Sequence, residues 1–257
     1  MPSRLSDHTK NRDNNFNLMR FMAASLVLFS HSYVLTGAGA EPLSKLGLTF
    51  GFVAVDVFFI TSGFLVTNSL FLRKDVLLFV WSRALRILPG LFVAVMFCVF
   101  IIGAIFTTLP IRSYLSHEGT WLFLYNNSML IIEPLRYELP GVFKGNPYKA
   151  AVNGSLWTLP WEVKMYVILA ILGVFTYAKK RLLNEKISSM LILLVGVLST
   201  TAYLYKYYFE PTSEHLALRF LSNFFIGASF WILKDRVILS NRIAVLCCAY
   251  QHQHFHG

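Results

Sequence analysis

The chain has little charge, little cysteine and no cleavable leader pattern. Only 14% of its 257 residues are Asp, Glu, Lys or Arg, against about a quarter in soluble globular proteins. Three cysteines, Cys98, Cys247 and Cys248, all lie in apolar runs. They exclude a disulfide framework, and no spacing suits a structural zinc site. The polar stretch Met1–Asn15 is not followed by a short apolar core and a small-residue cleavage site. The first apolar segment is therefore expected to stay as an anchor. No repeat or low-complexity tract is evident. What remains is 56% hydrophobic residues, gathered in long blocks rather than in alternating or amphipathic patterns. Lipid is the solvent such blocks require.

An all-α fold follows, a polytopic bundle of transmembrane helices. The blocks read as six full spans, approximately 16–37, 47–72, 87–109, 156–178, 187–206 and 216–233. Each approaches the ~20 residues that cross a hydrocarbon core. A shorter apolar segment, Thr120–Ile132, is expected to dip into the membrane and return, or to lie in the interface. A last segment starting at Ile243 turns polar after Tyr250, which suggests a shortened or altered C-terminus. The three tail histidines, His252, His254 and His256, read as an accidental or disordered end rather than a metal site. The whole chain is expected to form a single membrane-embedded domain.

The net charge of +10 has a topological explanation. Lys and Arg cluster between apolar blocks, where they hold loops in the cytoplasm. Arg4, Lys10 and Arg12 place the N-terminus inside. Lys179, Lys180 and Arg181 fall inside as well, provided Thr120–Ile132 does not cross, and so do Lys234, Arg236 and Arg242. A nucleic-acid partner is not expected, since no single basic face is offered on a soluble fold.

The informative residues are polar ones inside apolar blocks, where a charge costs on the order of 2.5–3.5 kcal/mol at the helix centre. His31 lies eleven residues after Arg20, which puts both on one helical stripe, ~16 Å apart along the axis. An imidazole there serves either as a general base near neutral pH or as a hydrogen-bonded tie between helices. Asp56 needs a partner, which Arg20 or His31 could supply. It would then orient the imidazole or form a structural ion pair. Gly63 shares its face, and Ser62 and Gly63 suit close helix packing. Arg83 and Arg86, at i and i+3 at the mouth of the third block, share a face that suits phosphate or anionic lipid. Glu162 is expected near the outer end of its span. Trp157 and Trp161 beside it form either an interfacial belt or a platform for a sugar.

Four segments, in order, resemble the acyltransferase-3 family of integral membrane acyltransferases. They are Asn15-Phe16-Asn17-Leu18-Met19-Arg20 with His31; Val55-Asp56 through Ser62-Gly63-Phe64; Arg83-Ala84-Leu85-Arg86 with Pro89; and Ser155-Leu156-Trp157 through Glu162. The resemblance implies transfer of an acyl group, often acetyl, from acyl-CoA to a hydroxyl, with surface polysaccharides or O-antigen as frequent acceptors. It also implies a bacterial inner membrane. Carried onto this chain, it gives His31 a catalytic role, with Asp56 and Glu162 beside it, and assigns Arg20, Arg83 and Arg86 to the donor. Trp157, Trp161 and Ser62 are then candidates for substrate contact, and no metal is implied. Family members usually have about ten helices, more than this chain supplies. A transporter or flippase of a lipid-linked glycan would use buried charges in a comparable way.

Overall fold

A computed structural model describes residues 3–9, 15–130, 134–148, 150–177, 185–210 and 215–239. The basic run Lys179–Arg181, Glu214 and everything from residue 240 lie outside the described residues, and with them the expected incomplete last helix. The structure is a helical membrane protein. Its long helices are α1 (Phe16–Thr36), α2 (Phe50–Arg73), α3 (Val76–Phe97), α6 (Leu159–Tyr177), α7 (Glu185–Phe209) and α8 (Leu216–Ile232). Between α3 and α6 lie two short ones, α4 (Ile111–Ser116) and α5 (Glu118–Met129). Among the described residues, five helical segments are long and apolar enough to cross a bilayer, and the 17-residue α8 is a shorter apolar helix. Lipid is needed on the outside. Along α1 only Ala23 and Ser30 are buried, whereas Leu18, Phe21, Met22, Leu28 and Leu35 are exposed.

Two compact units divide the chain. The first comprises residues 1–30, 40–68 and 184–257. Here α7 and α8 pack side by side, and α2 crosses α8 at glycine. A Cβ on Gly63 would lie 1.9 Å from the Phe224 carbonyl oxygen, and one on Gly227 would lie 1.9 Å from that of Ile60. The two backbones touch because neither residue has a side chain, the small-residue packing that membrane helices favour. At one end of this unit, β1 (Ser3–Arg4) pairs antiparallel with β2 (Ile238–Leu239). The ladder draws the N-terminal segment against the chain that leaves α8, so both lie on one membrane face.

The second unit comprises residues 31–39 and 69–183. In it α3 starts eleven residues earlier than hydropathy suggested. Asp75 caps its N-terminus by accepting the Leu78 N–H at 3.0 Å, and Arg83 and Arg86 are good helix formers. Both arginines therefore sit within the helix and not at its mouth. The helix passes through Pro89, widens into a π-turn over Cys98–Gly103 and ends at Phe106. The wide turn frees a carbonyl. The fully buried Tyr114 donates its hydroxyl to the Val99 carbonyl at 2.8 Å, and burial pushes that phenol up to about 12. Its oxygen occupies the space where a Cβ on Gly103 would stand.

The stretch between α3 and α6 packs Tyr114, Phe123, Leu139 and Val142 against Leu91, Val95 and Val99 of α3 and its π-turn. Asn127 fixes its loop by donating to the Arg136 carbonyl at 2.8 Å and accepting the Arg136 N–H at 3.0 Å. Helix α5, which covers most of the expected dipping segment, has twelve residues. At about 18 Å it is too short to cross. It buries Phe123 and Asn127 and exposes Trp121 and Tyr125.

Replacing Gly227 with Val should separate α2 from α8 and destabilise the fold by more than the ~1–3 kcal/mol typical of overpacking, because backbone is displaced. Thermal unfolding in detergent is the measurement, and an unchanged midpoint would contradict the crossing.

Candidate active site

Two constellations of charged side chains lie inside the helices, one in each unit. In the second unit, Arg83 and Glu162 meet on one tyrosine. Tyr166 lies one helical turn after Glu162 on α6, so its hydroxyl reaches back to donate to the Glu162 carboxylate. The Arg83 guanidinium, on α3, stands 6.0 Å from the centre of the Tyr166 ring, at the edge of cation–π range. Tyr166 is buried, Arg83 half-buried and Arg86 exposed. Sequence reasoning missed Tyr166, because a tyrosine within an apolar run carries no charge signal.

Glu162 lies in the first turn of α6, just after a 3-10 turn over Gly154–Thr158. The glutamate and Arg83 share a cluster. Trp161 holds a cation of its own: the Lys164 ammonium stands 4.2 Å over its ring. His31 is half-buried on α1 and is grouped with Arg83, Arg86, Trp157 and Glu162 in the second unit. The unbroken helix α1 carries Arg20 and His31 together.

In the first unit, the partner of Asp56 is one that sequence reasoning did not name. Arg219 on α8 donates from Nε to Oδ1 at 2.9 Å and from Nη2 to Oδ2 at 2.6 Å, and Asn223 Nδ2 donates to Oδ1 at 2.7 Å. The Arg219 guanidinium also lies 4.8 Å over the Phe52 ring. Asp56 was expected to pair with Arg20 or His31, which are close in sequence; Arg219 is 163 residues away. Its signal was present, as a charge inside the sixth apolar block. Sequence reasoning also missed one carboxylate, Glu41. It is buried, accepts the Ser30 hydroxyl and takes the Phe50 N–H at 2.8 Å, which caps α2. Ser62 is buried beside Gly63.

A family model described as an acyltransferase domain (Acyl_transf_3) matches residues 13–250. The chain belongs to this family. Among curated relatives, "Nodulation protein 10" of Rhizobium leguminosarum bv. viciae is 32% identical over 177 residues, which cover 65% of this chain and 46% of that protein. "O-acetyl transferase" of Shigella phage Sf6 is 31% identical over 160 residues, 62% of this chain and 46% of that protein. The chain thus spans about half the length of the curated relatives it matches. No solved structure matches.

The Asp56–Arg219 pair is less than one-third exposed on either side. Removing one partner should cost about 3 kcal/mol, by stranding the other. Asp56→Ala is therefore expected to lower the unfolding midpoint clearly, and Asp56→Ala with Arg219→Met to recover part of the loss. A double variant less stable than the single would contradict the pairing.

Proposed function

We propose that this acyltransferase-family chain is an O-acetyltransferase of the bacterial inner membrane with its N-terminus in the cytoplasm. It moves an acetyl group from cytoplasmic acetyl-CoA to a hydroxyl of a carbohydrate such as a cell-surface polysaccharide or O-antigen. Family membership supports acyl transfer, and the printed name of the phage relative supports acetyl and oxygen as the group and the atom. The observation that carries the reading is the Arg83–Tyr166–Glu162 cluster within a membrane span. Charges are expensive there and mark a site or pathway.

In the proposed reaction, Arg83 and Arg86 hold the donor's phosphates, for which the guanidinium fork is suited. His31 takes the proton of the acceptor hydroxyl as its oxygen attacks the thioester carbonyl. The C–O bond forms, the C–S bond breaks, and the CoA thiolate leaves with the electron pair. The proton on His31 then returns to the thiolate. Glu162 orders Tyr166, which in turn positions Arg83.

His31→Ala, expressed and folded as judged by thermal unfolding, should abolish acetyl transfer measured by mass spectrometry of the surface polysaccharide. Undiminished acetylation would remove His31 from the chemistry. Arg83→Ala should weaken CoA binding about tenfold or more, the loss of one charge-assisted contact of ~1.5–3 kcal/mol. Unchanged affinity in calorimetry would end the docking role.

A further inference from the structure

The Asp56–Arg219–Asn223 cluster has features that a structural ion pair does not require. Asp56 and Arg219 keep 26% and 19% of their side-chain surface exposed. Among the described residues, the hydrogen bonds they make use two of the five N–H groups of Arg219 and leave the Asn223 amide oxygen and a lone pair of Asp56 available. Donors and acceptors therefore lie side by side on a group whose net charge is zero. Such a group has little to offer a phosphate or carboxylate, whose charge Asp56 would oppose. It matches a polyol, in which every hydroxyl both donates and accepts.

Aromatic rings lie beside the cluster. The Arg219 guanidinium carbon stands 4.8 Å over the centre of the Phe52 ring. The phenols of Tyr203 and Tyr207 on α7 are close enough to act on the charge of Arg219. Their rings are paired, 6.1 Å apart, and Tyr207 is 59% exposed. An interfacial aromatic belt accounts for Tyr205, Tyr208 and Phe209 on the same helix end. It does not account for the hydrogen-bonding triad beside Tyr203 and Tyr207. Flat aromatic faces next to planar amide, carboxylate and guanidinium groups are the surface that a sugar ring requires.

We propose that Asp56, Arg219 and Asn223, with the Tyr203–Tyr207 pair, form a binding subsite for the carbohydrate acceptor. The proposal rests on the acetyltransferase reading above. It adds a sugar-holding site in the first unit, built on α2, α7 and α8.

The test uses the full chain in lipid nanodiscs, with acetyl-CoA as donor and surface polysaccharide from the expressing cells, stripped of O-acetyl groups with alkali, as acceptor. Tyr207→Ala should raise the acceptor KM at least fivefold, while the KM for acetyl-CoA and the unfolding midpoint stay at wild-type values; Asn223→Ala, which also removes a hydrogen bond to Asp56, should raise the acceptor KM at least fivefold and lower the midpoint, with the KM for acetyl-CoA unchanged. Lys206→Ala, which breaks only the neighbouring exposed Lys206–Glu210 pair, should change none of these. An acceptor KM that stays at the wild-type value in both variants overturns the subsite, as do donor and acceptor KM values that rise together with a fall in stability. Should the wild-type chain transfer no acetyl group to this polysaccharide, the acetyltransferase reading fails and takes the subsite with it.

Discussion

A charge drawn between apolar helices has to find its counterpart on another helix, because lipid supplies none. In the first unit this requirement fixes the seam between α2 and α8. Asp56 accepts from Arg219 and Asn223 at one end. One turn on, the rings of Phe59 and Phe220 stack at 4.4 Å and 6°. Beyond them, Gly63 and Gly227 let the two backbones touch. Asp56, Phe59 and Gly63 recur at the spacing of one helical face, and so do Arg219, Asn223 and Gly227. The ion pair sets the register, and the glycines need that register to meet. A sliding of one residue would bring a side chain against a carbonyl and strand a carboxylate.

The second unit solves the same problem differently. A widened turn in α3 exposes a carbonyl, and Tyr114 arrives from the following segment to satisfy it. Around that contact the residues between α3 and α6 build a core together with α3. Their backbone is largely irregular, so side chains such as Asn127 supply the partners that a long helix would have supplied within itself.

How much of this was legible depended on range. Long apolar blocks announced the bundle, and the short block at Thr120–Ile132 announced a segment that could not cross. The start of α3 was hidden because hydropathy falls at Arg83 and Arg86 while helicity does not; only Asp75 marked the true beginning. Gly63 was readable as a packing position because its face is set by local spacing. Arg219 was visible as a buried charge, but its pairing with Asp56 was not, since no periodicity links residues on different helices. Tyr166 gave no signal at all. Its importance comes from standing between Glu162 and Arg83, and only tertiary packing shows that.

Two half-buried arginines, Arg83 and Arg219, illustrate why the geometry, and not the residue type, decides the chemistry. Arg219 has committed two arms of its fork to a carboxylate, which cancels its charge and leaves a neutral hydrogen-bonding surface. Arg83 is held by a ring, with one long contact from Nε to the Ser82 hydroxyl at 3.5 Å, and among the described residues its fork is committed to no carboxylate. Glu162, one turn before Tyr166, accepts the Tyr166 hydroxyl. A guanidinium steadied by a π face keeps its positive charge and its N–H groups for a ligand. This difference is why the proposed reaction places the anionic donor at Arg83 and the proposed subsite places a neutral polyol at Arg219.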